Sequence, residues 1–238
     1  MPTKPIPSEI QNLDWDAITN ELIETGFTTT GPLLAPKQCA NLIAGYETAS
    51  YRSHIHMARY NFGLGEYKYF ARPLPNLVQN LREDLYARLV PAANQWAERL
   101  SMPRQGYPAR HEAFLEECHA AGQMRPTPLI LKYETGDYNC LHQDLYGDLY
   151  FPFQVVFMLS TPGEDFSGGE LIITETRPRM QSKANVVPLL LGEAAIFAVN
   201  WCPRRSARGF ARTSLRHGVS KVLSGRRHTL GVIFHDAT

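Results

Sequence analysis

The sequence has few cysteines and no long apolar run. Its four cysteines, Cys39, Cys118, Cys140 and Cys202, stand far apart and form no C-x-x-C pair. This spacing is typical of free thiols in a reducing compartment. No apolar stretch reaches the ~18 residues that a membrane helix needs, and the N-terminal stretch lacks the apolar core of a signal peptide. We therefore expect a cytoplasmic protein with no membrane partner.

Net charge is almost absent as well. The 238 residues include 24 Lys+Arg and 23 Asp+Glu, which leaves a formal charge of +1. Hydrophobic residues make up 44% and charged residues 20% of the chain, a composition that excludes a disordered or fibrous protein. A chain of this length buries about 70% or more of its unfolded surface. We therefore expect a single domain, residues 1–238, that needs no disulfide to stay folded.

Acidic residues are missing from the C-terminal stretch between Glu193 and Asp236. The same stretch holds a third of the chain's positive groups: Arg204, Arg205, Arg208, Arg212, Arg216, Lys221, Arg226 and Arg227. A balanced chain that concentrates its positive charge in this way forms a basic patch.

The two halves of the chain have different periodicities. Residues 1–126 are predicted to be mainly helical, because caps and apolar spacing recur there. The predicted helices run from Asp14 to Gly26, from Pro36 onward, over Leu77–Leu100 with an interruption at Pro91, and over Glu112–Ala120. From residue 127 onward, short apolar segments alternate with turn residues, which is typical of a β-sandwich or barrel. These segments are 128–133, 153–159, 170–174, 185–190, 194–199, 214–219 and 228–235. The order predicts an α+β fold, an antiparallel core with helices packed outside.

One triplet, His142-Gln143-Asp144, carries the pattern of a metal site. In an extended segment residues i and i+2 point to the same side, so an imidazole and a carboxylate can hold one ion. Two histidines and one carboxylate leave open positions on a metal such as Fe(II). His217, 75 residues downstream in a strand-like segment, is the candidate third ligand.

Arg227 and Thr229 form a second pair with strand spacing. They share one face of a predicted strand, whereas Arg226 points the other way. A guanidinium fork beside a hydroxyl suits a buried carboxylate, with charge-assisted bonds worth about 1.5–3 kcal/mol each.

Residues 127–236 resemble the iron(II)- and 2-oxoglutarate-dependent dioxygenases, nearest the prolyl-hydroxylase-like branch. The pieces that carry the resemblance follow the order of that family. They are Tyr133 and Gly136 before His142-x-Asp144, then Phe166-x-Gly168-Gly169-Glu170-Leu171, then Gly192-x-Ala194-x-Ile196-Phe197, then His217-x-Val219 and Gly225-x-Arg227-x-Thr229. The resemblance implies a double-stranded β-helix, or jelly roll, in residues 127–238.

The resemblance also implies roles for these residues. His142, Asp144 and His217 would hold Fe(II), and Arg227 and Thr229 would bind the distal carboxylate of 2-oxoglutarate. Tyr133 would contact the same small-molecule cosubstrate. The implied reaction uses O2 to hydroxylate a substrate C–H bond and releases succinate and CO2.

Two clusters of basic and aromatic residues are candidates for the substrate cleft. One lies at residues 59–72 and the other in the arginine-rich segment 198–216, which reads as a loop inserted before His217. The candidate substrate residues are Arg59, Tyr67, Tyr69, Trp201, Arg204 and Arg208. An anionic or polar substrate fits them, either a protein or single-stranded nucleic acid.

Several alternatives for the function stay open. The ten-residue spacing from His217 to Arg227 resembles that of the prolyl-hydroxylase-like branch. This resemblance implies a protein side chain, such as a prolyl group, or a polar small molecule as substrate. A bacterial group with this overall look is catalogued as oxygenases of damaged nucleic acid, so oxidative demethylation of an alkylated nucleobase is the first alternative. A non-enzymatic sensor of metal or 2-oxoglutarate is the second. The pair His54 and His56 reads as the polar face of a strand, with a further metal site as its alternative.

Overall fold

The computed structural model of the protein describes residues 8–102, 104, 106–177, 179–207 and 209–238. The helices are α1 (Ser8–Gln11), α2 (Trp15–Thr25), α3 (Pro36–Ala44), α4 (Asn76–Arg99) and α5 (His111–Ala120), with a 3-10 turn over Met57–Tyr60. The strands are β1 (Phe27–Thr29), β2 (Tyr51–His56), β3 (Gly63–Leu64), β4 (Glu66–Phe70), β5 (Leu129–Glu134), β6 (Tyr138–His142), β7 (Phe153–Met158), β8 (Phe166–Gly168), β9 (Leu171–Thr176), β10 (Lys183–Val187), β11 (Ala194–Ala198), β12 (Trp201–Ser206), β13 (Gly209–Val219) and β14 (Val222–Ile233).

The strands form two antiparallel sheets whose inner faces meet. In the larger sheet the order is β1-β11-β7-β14-β5-β4-β2, with β8 against β14. In the smaller sheet it is β10-β9-β13-β6-β3, with β12 against β13. The inner faces touch where the Phe197 ring of the larger sheet lies 4.7 Å from the His217 ring of the smaller sheet. Among the described residues, no helix combines the length and hydrophobicity that crossing a bilayer requires.

The helices cover the outer face of the larger sheet at its central strands, β7 and β14. Trp96 of α4 packs edge-on against Phe153 of β7, with ring centroids 4.6 Å apart. The buried Arg82 of α4 donates to the carbonyl of Ile233 over 2.8 Å and pairs with Asp236 over 2.8 Å. These contacts fix the helical layer on one side of the sheet and leave the other side free to form a cavity.

Helix α4 runs without interruption through Pro91, so the predicted break there is wrong. Proline removes one intrahelical hydrogen bond. Here the apolar face that follows it, including Ala92, Ala93 and Trp96, is fully buried against the core. Tertiary packing supplies most of the stability of a helix in a protein, and it outweighs the lost bond.

The first half of the chain contributes more to the sheets than its helical reading predicts. Strands β2 and β4 pair with each other, and β4 joins β5 with Tyr67 opposite Leu131. As a result, β2 and β4 extend the larger sheet, while β3 between them joins the smaller sheet beside β6. The first half of the chain, predicted to be mainly helical, thus contributes residues such as Tyr67 of β4 to the inner face of the larger sheet.

Residues 201–206 and 209–214 pair as two antiparallel strands, which corrects the expectation of a loop over 198–216. Strand β12 pairs with the first half of β13 from Trp201↔Ser214 to Ser206↔Gly209. The hairpin packs against the helices, because Arg212 donates to the Leu100 carbonyl and Arg99 lies over the Phe210 ring.

Three buried histidines make the fold sensitive to acid. Burial lowers the pKa of His111 to about 3 and those of His228 and His235 to about 4. Between these values and the ordinary pKa near 6.5, the unfolded chain binds more protons than the folded chain. We therefore expect the free energy of unfolding to fall as the pH drops from about 6.5 to about 4, by up to about 1.4 kcal/mol per pH unit for each histidine.

Urea denaturation at a series of pH values measures this slope. His235→Gln is the matched variant, because the Nδ1 atom of His235 accepts a hydrogen bond from the Phe151 amide that a glutamine oxygen can replace. In His235→Gln, the dependence of the unfolding free energy on pH should be weaker by up to about 1.4 kcal/mol per pH unit, the contribution of one histidine. An unchanged slope in His235→Gln would contradict the assignment.

Candidate metal centre

The two histidines of the predicted site are direct neighbours across two strands. His142 ends β6, His217 lies within β13, and the antiparallel register pairs them opposite each other. Their ring centroids are 4.2 Å apart. The pairing of β6 with β13 therefore brings together two histidines that are 75 residues apart in the sequence.

Asp144 completes a triangle of ligand atoms. Its Oδ2 atom lies 3.3 Å from His217 Nε2, and its Oδ1 atom lies 3.6 Å from His142 Nε2. All three donors fall within 4.8 Å of one another. Two imidazole nitrogens and one carboxylate oxygen on one side of an ion suit a borderline metal such as Fe(II) and leave positions open for other ligands.

Hydrogen bonds to the backbone and to a neighbouring strand orient this group. His142 Nδ1 lies 2.8 Å from the Cys140 carbonyl, which directs Nε2 toward the carboxylate. Gln143 donates to the Ser214 hydroxyl and the Leu215 carbonyl over 3.1 and 2.7 Å. The residue between the two candidate ligands thus fastens their segment to β13.

Asp144 is held in its charged form. Burial alone would raise its pKa, but the imidazoles of His142 and His217 and the Tyr146 hydroxyl outweigh burial and keep that pKa well below its ordinary value. Tyr146 donates to Oδ1 over 2.6 Å and accepts from Tyr69 over 3.0 Å. A charged carboxylate with a fixed orientation is ready to accept a cation.

A cavity of about 290 Å³ lies beside the triad, between the two sheets. Its lining includes His142, Asp144 and His217 together with Tyr133, Arg227 and Thr229. Tyr133 is fully buried, and its hydroxyl accepts from Asn139 Nδ2 over 3.3 Å. The structure thus brings all six residues of the two predicted sets into one cavity.

Arg227 is the most unusual group in this cavity. Its side chain is 1% exposed, and none of its three nitrogens has a hydrogen-bond partner among the described residues. Burial lowers its pKa to about 10, so the guanidinium still carries its charge at neutral pH. A buried charge without a partner is strongly unfavourable. The cavity therefore fits an anionic ligand that pairs with Arg227.

The Gly168-Gly169 turn makes room for this arginine. Gly169 has φ +65, and a Cβ atom there would meet Arg227 Cδ at 2.9 Å. A larger residue at 169 would be both strained and in collision with Arg227. The paired glycines are thus part of the wall that positions the guanidinium.

A protein-family model matches residues 65–237 of the chain. The family is Oxygenase-NA, described as an oxygenase catalysing oxidative methylation of damaged DNA. The chain belongs to the Oxygenase-NA family. The prediction of an oxygenase is thereby confirmed.

Curated relatives of this Oxygenase-NA chain are uncharacterized proteins of Mycobacterium tuberculosis, from strains CDC 1551 / Oshkosh and ATCC 25618 / H37Rv. Each is 44% identical over 168 residues, which covers 71% of this chain and 72% of the relative. The match thus extends over most of both proteins.

Solved structures share the fold of this Oxygenase-NA chain at low sequence identity. A Pseudomonas putida prolyl-4-hydroxylase is 15% identical, with a TM-score of 0.51 and coverage of 94% of this chain and 99% of that one. A 2OG-Fe(II) oxygenase family protein from Burkholderia pseudomallei is 14% identical, with a TM-score of 0.52 and coverage of 95% and 94%. The predicted α+β fold with a jelly-roll core is confirmed.

The six predicted substrate residues of the Oxygenase-NA chain do not form one group. Tyr67 lines the cavity, and Arg59 is exposed in the 3-10 turn just before the cavity residues Asn61 and Phe62. Tyr69 is buried and does not line the cavity itself, but it packs edge-on against Tyr67 and donates to Tyr146. Arg208 lies outside the described residues.

The expectation that Trp201 and Arg204 line the substrate cleft is corrected by the structure. Trp201 borders a separate cavity next to the helices. Arg204 is buried, pairs with Glu175 over 3.2 Å and donates to the Thr25 carbonyl at the end of α2 over 2.5 Å. Its charge is used to hold the hairpin against α2.

Sequence reasoning missed two polar groups of the Oxygenase-NA site. Tyr146 bonds Asp144, and the Gln154 amide nitrogen lies 3.1 Å from His217 Nε2. The spacing of Tyr146, two residues beyond Asp144, could have suggested a hydroxyl next to the carboxylate. No local signal marks Gln154, because it reaches His217 from the facing sheet.

Proposed function

We propose that the protein is an Fe(II)- and 2-oxoglutarate-dependent dioxygenase that oxidises a methylated base in single-stranded nucleic acid. The observation that carries the chemistry is the buried, unpartnered Arg227 in the same cavity as the His142, Asp144 and His217 triangle. A dicarboxylate that reaches both groups is the ligand that such a cavity fits. Fe(II) and 2-oxoglutarate together supply O2 activation, with decarboxylation to succinate and CO2 coupled to hydroxylation of a C–H bond.

The residues of the chain have distinct tasks in this proposal. His142, Asp144 and His217 hold the metal through two nitrogens and one oxygen. Arg227 binds the distal carboxylate of 2-oxoglutarate, and Thr229 adds a hydroxyl from the same strand face. Both groups line the same cavity between the two sheets, so one dicarboxylate can reach the metal ligands and Arg227 together.

Tyr133 and Gln154 orient the cosubstrate in the same proposal. Both are buried and line the cavity. The Gln154 Oε1 atom has no hydrogen-bond partner among the described residues, so it can accept a hydrogen bond from a ligand. Tyr146 acts indirectly, since its hydroxyl fixes the carboxylate of Asp144.

An aromatic stack at the rim of the cavity supports a nucleobase substrate. Tyr60 and Phe62 are 53% and 46% exposed, and their rings lie 5.5 Å apart at 21°. The Phe62 carbonyl accepts from the Cys140 amide, two residues before His142. Exposed flat aromatics bind unpaired bases by stacking, worth about 1–3 kcal/mol per base. The description of the Oxygenase-NA family, which names damaged DNA, points the same way.

A protein side chain is the second candidate substrate. It rests on the ten-residue spacing between His217 and Arg227, with Thr229 two residues beyond, which resembles the prolyl-hydroxylase-like branch. The two candidates predict different products. Hydroxylation of an N-methyl group releases formaldehyde, whereas hydroxylation of a prolyl ring leaves the oxygen on the peptide.

The deciding experiment supplies the protein with Fe(II), 2-oxoglutarate and either an N-methylated single-stranded oligonucleotide or a proline-containing peptide. Succinate and formaldehyde are measured together. We expect equal amounts of both with the oligonucleotide, and binding that weakens steeply as salt rises. Succinate with the peptide and no formaldehyde with the oligonucleotide would favour the second candidate, and no succinate with either would contradict both.

Phe62→Ala tests the stacking contact. Loss of one stacked base should weaken oligonucleotide binding by about five- to a hundredfold. Phe210→Ala is the matched control, since Phe210 is also a partly exposed aromatic but packs on Arg99 of the helical layer. Equal effects of the two substitutions would argue against stacking at the rim.

A further inference from the structure

A second group of metal-ligating side chains lies on the outer face of the larger sheet. His54 and His56 alternate along β2, and His56 stands opposite Glu66 of β4. The Glu66 Oε2 atom lies 2.8 Å from His54 Nε2 and 3.3 Å from His56 Nδ1. The two imidazole rings are 4.3 Å apart. Both rings thus turn one nitrogen toward the same carboxylate oxygen.

We propose that His54, His56 and Glu66 form a second metal site that binds a divalent transition metal of the Zn²⁺ type. Their three donor atoms lie within 4.8 Å of one another. Two imidazoles and one carboxylate are a ligand set that Zn²⁺ accepts, with water in the remaining position. An ion between the three side chains would take the place of the hydrogen bond between His54 and Glu66.

Lys132 prepares the carboxylate for this role. Its ammonium group bonds Oε1 of Glu66, the oxygen that does not face the imidazoles. That bond orients the side chain and leaves Oε2 as a single ligand atom, as outer partners of metal sites do. Burial alone would raise the pKa of Glu66, but Lys132 and His54 outweigh it and lower that pKa to about 2. The carboxylate is therefore charged at neutral pH.

The site is separate from the triad and open to solvent. Strand alternation puts Glu66 on the outer face, whereas the next residue, Tyr67, lines the inner cavity. The side chains of His54 and His56 are 38% and 46% exposed, so an ion can enter without unfolding the chain. A bound ion would join edge strand β2 to β4 and stabilise the folded state by mass action.

The test measures metal binding to a variant in which Asp144, the carboxylate of the cavity site, is replaced by alanine. Full-length Asp144→Ala protein is freed of metal with a chelator and titrated with Zn²⁺ by calorimetry, and with Co²⁺ while its visible absorption is recorded. We expect one equivalent of each ion per chain, and a melting temperature that rises with Zn²⁺. His54→Ala should weaken the binding at least about tenfold, since even changes to outer partners of metal sites weaken affinity by 10–100-fold.

Two comparisons decide the outcome. The double substitution His54→Ala and His56→Ala in the Asp144→Ala protein should abolish the binding of this one equivalent of Zn²⁺. It should also abolish the rise in melting temperature. Ser53→Ala changes a residue of the same strand that is not a proposed ligand. It should leave Zn²⁺ binding and the rise in melting temperature unchanged. If the protein binds no Zn²⁺ before these substitutions, or the same amount after them, the proposal is wrong. Because turnover is not measured, this result is independent of the proposed dioxygenase activity.

Discussion

Asp144→Ala protein is expected to form no measurable succinate from 2-oxoglutarate while remaining folded. Asp144 is the only carboxylate in the described metal group of the cavity, and it bridges both imidazoles at 3.3 and 3.6 Å. Changes to the outer partners of a metal site already weaken function or affinity 10–100-fold. Loss of a ligand should therefore lower Fe(II)-dependent succinate formation by more than about 100-fold. Succinate release measures the loss of turnover. Calorimetry with Mn²⁺ separately measures the loss of metal affinity.

Two control variants separate the ligand from its surroundings. Tyr146→Phe removes one bond to Oδ1 but keeps the ligand, so we expect a smaller loss than in Asp144→Ala. Asp148→Ala makes the same substitution beside the separate cavity near Trp201 and should leave turnover unchanged. Normal succinate formation by Asp144→Ala would remove this residue from the metal centre. Removal of the metal from the native protein by a chelator should reproduce the loss, and Fe(II) should restore it.

Arg227→Met is expected to weaken 2-oxoglutarate binding by about ten- to a hundredfold. The estimate follows from the loss of charge-assisted bonds worth about 1.5–3 kcal/mol. The same substitution should stabilise the ligand-free protein, because it removes a buried guanidinium that has no hydrogen-bond partner among the described residues. Calorimetry with 2-oxoglutarate and thermal denaturation without it measure the two effects. Opposite changes in binding and stability distinguish a binding residue from a structural one.

The neighbouring Arg226→Ala is the matched control for this prediction. Arg226 lies on the opposite face of β14, is exposed, and pairs with Glu134 over 3.1 Å. Such surface pairs contribute little to stability, so 2-oxoglutarate binding should not change. Unchanged binding in Arg227→Met, or a larger loss in Arg226→Ala, would place the carboxylate elsewhere. Arg227→Lys should restore only part of the affinity, because an ammonium group lacks the planar fork of a guanidinium.

Much of the candidate site could be predicted because its pairs are local. His142 with Asp144 and Arg227 with Thr229 each lie two residues apart on a strand end or strand, so alternation alone puts each pair on one side. The same rule places Arg226 outside, where the structure has it. Caps and breakers likewise predicted α2, which begins after Asp14 and ends at Gly26, where φ is +83.

The predictions that were wrong concern contacts between distant segments. Arg204 was expected at the substrate cleft, but it lies against the carbonyls at the end of α2 and against Glu175. Its burial depends on where the β12–β13 hairpin folds, and no short-range pattern encodes that. The continuous helix through Pro91 has the same origin, because the core that covers its apolar face comes from other parts of the chain.

Two local pairs, a histidine–aspartate pair and an arginine–threonine pair, can be read from strand alternation in the sequence. That these pairs meet depends on the fold, through the register of His217 opposite His142 and the packing of the two sheets around one cavity. The fold also buries Arg227 without a hydrogen-bond partner among the described residues. The physical reason is that strand alternation is a property of neighbouring residues, whereas burial and register depend on every segment that packs against them.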